Sequence, residues 1–138
     1  MPTPRYGVAA ATVNDRIYII GGTQQQGEDL STVEAYDPLT DTWTSLAPMP
    51  TARYAPTATA IGPTIYVIGG SYPSDNRRVL QTVEAYDTGS NTWVTLSPMP
   101  TARQGLASAI VNGSDVIAVG GATDAGNAWS SAVEEYLP

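Results

Sequence analysis

Thr32-Val33-Glu34-Ala35-Tyr36-Asp37, followed by Trp43, returns as Thr82-Val83-Glu84-Ala85-Tyr86-Asp87, followed by Trp93. A third copy, Ala132-Val133-Glu134-Glu135-Tyr136-Leu137, is degenerate and has no Trp after it. The same landmarks precede each copy in the same order. Gly21-Gly22 recurs as Gly69-Gly70 and Gly120-Gly121. Earlier still, Met1-Pro2-Thr3-Pro4-Arg5-Tyr6 recurs as Met49-Pro50-Thr51-Ala52-Arg53-Tyr54 and as Met99-Pro100-Thr101-Ala102-Arg103-Gln104. Self-similarity at a fixed period of about 50 residues marks a repeat architecture.

Each repeat predicts four short strands. The first is small and apolar, at residues 8–13, 57–61 and 106–111. Tight turns follow at Asn14-Asp15, Gly62-Pro63 and residues 112–115, built from residue types that accept turn geometry. The second strand, at 17–20, 65–68 and 116–119, is apolar on both faces and should be covered on both. The Gly pair ends it. A polar loop of variable length leads to the third strand, around Glu34-Ala35-Tyr36. A turn at 37–41 then leads to the fourth, at 42–46. No segment keeps a helical period, and prolines stand where strands should end.

The doubled Gly, the later Tyr and a Trp seven residues beyond it recur in order along the chain. In this the sequence resembles the kelch-repeat β-propeller family. The resemblance implies an all-β fold of kelch-type blades, each of four antiparallel strands, with three blades per chain. The repeats are residues 1–48, 49–98 and 99–138, the last lacking its Trp-bearing strand, so a three-stranded third blade is expected.

Propellers close radially, typically with about 4–8 blades. Three blades in an open arc would expose two apolar blade faces, and the end blades show no polar cap. A two-fold homodimer closing a six-bladed propeller is the economical expectation, with blade one of each chain against blade three of the other. The alternative is a piece of a longer propeller.

The net charge is −7, with no Lys and no His. Such a chain is a poor partner for nucleic acid or an anionic membrane. Without His or Cys there is no Ser-His-Asp triad, no thiolate metal site and no cysteine nucleophile. No cofactor is expected. The N-terminal segment lacks the apolar run of a secretory signal, and no stretch approaches the ~20 apolar residues of a membrane span.

Arg5, Arg53 and Arg103 occupy equivalent places just before the first strand. Resemblance to peptide-binding kelch proteins implies that they face a channel mouth and hold a carboxylate or phosphate through paired donors. Half of the six arginines would then converge on one opening of an acidic protein. Their neighbours Tyr6, Tyr54 and Gln104 would add aromatic or polar contacts. The structural alternative is that each Arg bridges carbonyls or carboxylates of adjacent blades. Glu34, Glu84 and Glu134 recur as its natural partners, rather than as paired catalytic carboxylates. Loops carry recognition on rigid scaffolds, which singles out Tyr72, Arg77, Arg78 and Trp129. Trp129 has no counterpart in the other repeats.

The expected function is a non-enzymatic binding or scaffold module, self-assembled into a ring, with a protein, peptide or small anion as partner. The competing expectations are an assembly-only half-propeller, natural or engineered, and a sugar-processing kelch enzyme using Arg53, Glu84 and tyrosines.

Overall fold

The computed structural model describes residues 1–25, 27–72, 78–123 and 128–136. Every regular element within them is a strand. The first blade pairs β1 (Ala9–Val13), β2 (Arg16–Ile20), β3 (Val33–Asp37) and β4 (Thr42–Ser45) antiparallel in chain order. The second repeats it with β5 (Thr57–Ile61), β6 (Thr64–Ile68), β9 (Val83–Asp87) and β10 (Thr92–Thr95). Between β6 and β9 runs a short hairpin, β7 (Ser71–Tyr72) with β8 (Arg78–Val79), which the repeat pattern did not announce. Among the described residues the third sheet has three strands, β11 (Ala107–Val111), β12 (Asp115–Val119) and β13 (Val133–Tyr136).

Local chemistry sets these elements. Asn14 and Asp15 both take positive φ, 49° and 61°, as a two-residue hairpin between right-twisted strands requires. In the third and fourth strands, Tyr36 stands opposite Trp43 and Tyr86 opposite Trp93. Each pair stacks at a tilt, with ring centroids 5.0 and 4.9 Å apart. The Gly pair is needed for close approach as well as for φ. A Cβ on Gly69 would lie 2.4 Å from the Arg103 carbonyl, and Gly69 and Gly70 have φ of 64° and 100°.

The core lies between blades. Val13, Tyr18, Ile20, Val33 and Ala35 of blade one meet Met49, Ile65, Val67 and Tyr86 of blade two. Ile68 and Val83 of blade two meet Met99, Leu106, Val116 and Ala118 of blade three. The second strand is thus covered on both faces where it lies between two blades. Each fully buried Ile or Val contributes about 1.5–3 kcal/mol.

Backbone hydrogen bonds also cross from blade to blade, and they repeat. Ala55 N–H donates to the Gly7 carbonyl at 2.8 Å, and Gly105 N–H donates to the Ala55 carbonyl at 2.9 Å. Gly22 N–H donates to Arg53 O and Gly70 N–H to Arg103 O, at 2.9 and 2.8 Å. The amides of Arg53 and Arg103 donate back to the carbonyls of Leu30 and Leu80. Two blade junctions therefore use one set of contacts.

Candidate functional site

The segment before each first strand carries Arg into the middle of its own blade. Arg53 is fully buried. Its Nη1 donates to the carbonyls of Gly69 and Thr82, both at 3.0 Å, and Nη2 bonds to the Glu84 carboxylate. Thr51 Oγ1 donates to the other Glu84 oxygen at 2.6 Å. Arg103 repeats the arrangement with Gly120 O and Ala132 O, each at 3.0 Å, and with Glu134 at 2.8 Å. Arg5 does so with Thr32 O at 2.9 Å and Glu34 at 3.1 Å, and Thr3 Oγ1 caps Glu34 at 2.7 Å. Burial pushes the Arg5 and Arg53 guanidinium groups below the usual arginine pKa, while Glu34 and Glu84 act in the opposite direction.

An anion-binding mouth of arginines does not fit this placement. All three side chains are closed off from solvent, and their Nη donors already serve backbone carbonyls and a carboxylate. The reason is electrostatic. A guanidinium removed from water needs a counter-ion and several acceptors, and the recurring Glu and the two carbonyls supply them within one blade. The Arg locks the end of the second strand to the start of the third.

The residue after each Arg is the one that reaches the surface. Tyr6 pairs with Thr23, Tyr54 with Ser71 and Gln104 with Ala122 through single antiparallel bridges. In turn Thr23 bridges Asp29, and Ala122 bridges Trp129. In blade two the same rung runs from Ser71 to Val79 within the β7–β8 hairpin. Gln104 and Trp129, separate in sequence, therefore share one three-rung layer in blade three, and Tyr54 shares the equivalent layer of blade two with the β7–β8 pair that carries Tyr72 and Arg78.

Tyr6 is half exposed, and its ring meets Tyr54 edge to face at 5.7 Å. Gln104 Oε1 accepts from Ser71 Oγ at 2.6 Å, tying blade three to blade two. Tyr72 lies opposite Arg78, which is exposed. Trp129 is 81% exposed, the largest aromatic surface on the layer. Arg77 lies outside the described residues. A shallow cleft of about 260 Å³ opens beside Tyr6, lined by Pro4, Arg5, Thr23, Gln24 and Gln25. Chemically this layer offers aromatic faces and amide groups, which suits hydrogen bonding and stacking against a peptide.

Sequence reasoning missed Thr23, Ser71 and Ala122, the middle rungs. Their signal was present: each follows the Gly pair directly and each is small.

Comparison with known proteins agrees with this architecture. The family description "KLHDC2/KLHL20/DRC7 Kelch-repeats domain" matches residues 1–133. An F-box/kelch-repeat protein of Arabidopsis thaliana is 52% identical over 40 residues, 29% of this chain and 11% of that protein. Beta-scruin of Limulus polyphemus is 38% identical over 47 residues, covering 34% of this chain and 5% of its own length. The influenza virus NS1A-binding protein homolog of Mus musculus is 45% identical over 49 residues, 36% of this chain and 8% of the relative. The matched segments thus span about a tenth or less of these larger proteins. Blade strands, Gly pairs, buried arginines and a family match over nearly every residue place this chain in the kelch-repeat family.

Proposed function

We propose that this chain is a non-enzymatic binding and scaffold module. It closes head to tail with a second copy into a six-bladed ring, and it presents the Tyr6, Tyr54, Gln104 and Trp129 layer to a protein or peptide. One observation carries the ring. Val111, Val119 and Val133 of blade three are 43%, 43% and 65% exposed, where their equivalents Val13, Ile20 and Val33 are 4%, 0% and 1%. At the other end, Met1 and Ile17 are exposed where Met49 and Ile65 are buried. Contiguous apolar surface of this kind marks an interface.

The backbone supports the same match. Among the described residues, Gly7 N–H and the Arg5 N–H and carbonyl have no backbone partner at blade one. The Gly105 and Ser130 carbonyls and the Gly121 N–H have none at blade three. Each group at one end is the complement of its counterpart at the other, by the pattern of the two internal junctions. A second copy therefore satisfies both ends at once, and a two-fold arrangement closes.

Protein binding is favoured over small-anion binding because the arginines are engaged internally while the surface layer is aromatic and amide-bearing. A relative of the chain carries protein binding in its name. The sugar-processing reading finds no support, since Arg53 and Glu84 are buried against each other. The test is solution mass by light scattering. A sharp species of about twice the 14.5 kDa chain is expected, and a stable single chain would rule out the ring.

A further inference from the structure

The turns between first and second strands share a place in the repeat but not a chemistry. They are Asn14-Asp15, Gly62-Pro63 and Asn112-Gly113-Ser114. In the last, Val111 pairs with Asp115, and the Ser114 N–H donates back to the Val111 carbonyl at 3.3 Å. Asn112 and Gly113 take positive φ, 54° and 80°, which both residue types tolerate. Both residues are exposed. Among the described residues the Gly113 N–H has no hydrogen-bond partner. A Cβ built on Gly113 would meet no atom within 4 Å. The nitrogen that follows the Asn112 side chain is therefore both unengaged and unshielded.

We infer that Asn112 is a site of intrinsic covalent modification, deamidation through the Gly113 nitrogen, which Asp115 holds back in the folded chain. The Gly113 amide gives its proton to solvent base, and its nitrogen forms a bond to Asn112 Cγ. The Cγ–Nδ2 bond breaks, and the side-chain nitrogen takes a proton from water and leaves as ammonia. Water then opens the cyclic imide. Opening at Cγ leaves an aspartate, and opening at the backbone carbonyl leaves an isoaspartate whose chain runs through Cβ. One water is consumed and one ammonia released, with no other reactant.

The other described asparagines show what Asn112 lacks. Asn91 Oδ1 accepts from the Ala47 N–H and the Tyr86 hydroxyl, and Thr92 after it stands in the ladder opposite Asp87. Asn14 is followed by Asp15, whose side chain crowds the attacking nitrogen and whose negative charge opposes its deprotonation. At Asn112 the restraint comes from further along the turn. Asp115 Oδ2 accepts from Asn112 Nδ2 at 3.1 Å, and Oδ1 accepts from Ser114 Oγ at 2.7 Å. The Ser114 bond first, then the Asn112 bond, hold the Asp115 carboxyl below the usual carboxylate range, so it is ionised at neutral pH. That anion fixes the side-chain amide and opposes the negative charge that ring closure builds beside it.

Conversion removes the donor and sets carboxylate against carboxylate at the end of the hairpin. Isoaspartate also lengthens the backbone between β11 and β12, whose Ile110 and Val116 pack at the junction of blades two and three. Blade three is the blade this loosens. Ring closure leaves the site open, because Gly62 and Pro63, at the same turn of blade two, are exposed although blades flank them on both sides.

The test incubates the folded full chain in mildly alkaline buffer made with heavy-oxygen water, and follows each asparagine by peptide mass mapping with fragmentation. Asn112 should convert several-fold faster than Asn14 and Asn91, gaining one heavy oxygen per event. Isoaspartate should be the larger product, read by methyl transfer from an isoaspartyl-specific methyltransferase. Asp115→Ala should speed conversion several-fold while the chain keeps its folded circular dichroism. Asp115→Asn, which keeps an acceptor and loses the charge, should also convert faster than the parent. In denaturant all three chains should convert at similar rates, and the converted parent should show a lower denaturation midpoint than the fresh one. Equal rates at Asn14 or Asn91, aspartate without isoaspartate, Asp115 variants no faster than the folded parent, or an unchanged midpoint would overturn the proposal.

Discussion

Arg53 and Glu84 are bonded to each other in the middle of blade two, both closed to solvent. Arg16 and Asp37 make the contrasting pair, 3.2 Å apart but largely in water. Removing one member of a buried pair leaves an uncompensated charge, at a cost of about 3–5 kcal/mol. An exposed pair contributes about 0–1 kcal/mol. Arg53→Ala should therefore lower unfolding stability by about 3–5 kcal/mol in denaturant melts. Arg16→Ala should change it by less than about 1 kcal/mol. The double variant Arg53→Met, Glu84→Leu should recover most of the first loss. Equal effects from the two single variants would contradict this account.

Ala55 sits in the left-handed region at φ 49°, at the position that is glycine in the other blades, Gly7 and Gly105. A left-handed non-Gly residue costs about 1–2 kcal/mol, against about 0.5–1 kcal/mol for the extra unfolded freedom of glycine. Ala55→Gly should raise stability by about 0.5–1 kcal/mol, read as a shift of the denaturation midpoint at constant slope. A lower midpoint would refute it.

Val133→Asp changes a residue that the single chain leaves exposed, so the chain itself should keep its folded circular dichroism. Ring closure would bury that charge without a partner. Solution mass should fall to that of one chain, 14.5 kDa. A variant that keeps the doubled mass would place the interface elsewhere.

The Tyr86 hydroxyl is pushed up to about 12, first by burial and then by Tyr18 and Asp87. The folded chain holds this proton more tightly than the unfolded chain does. Stability from this group is therefore complete below pH 10, and falls as pH rises from about 10 toward 12. Tyr86→Phe should flatten that part of the alkaline stability profile. It should also cost about 1 kcal/mol at neutral pH, because the hydroxyl donates to Asn91 at 2.7 Å. An unchanged alkaline slope would exclude Tyr86 as its source.

The strands were legible because their signals are local. Ile65–Ile68 is apolar on both faces, Asn14-Asp15 marks a tight hairpin, and Tyr86 and Trp93 recur at fixed distance. The pairing of Arg with Glu was also open to reading, since both recur in phase. Burial of the Arg was not. Two of its acceptors are carbonyls, such as Gly69 O and Thr82 O, which any residue carries. The β7–β8 hairpin escaped for a related reason, as two-residue strands carry no periodicity. The shared layer of Tyr54, Ser71 and Val79 rests on pairing across distant parts of the chain, which composition does not encode.

The string of bonds from Gly105 through Ala55 to Gly7 runs one way only. Its circulation has a sense, like the winding of a screw, and every blade is threaded on it alike. A blade joining at either end must turn in that same sense, because the reverse would set donor against donor. An array of blades built this way has an unlike top and bottom. The bridges at Tyr6, Tyr54 and Gln104 come at the same point of each repeat, so the proposed ring would carry them all on one side.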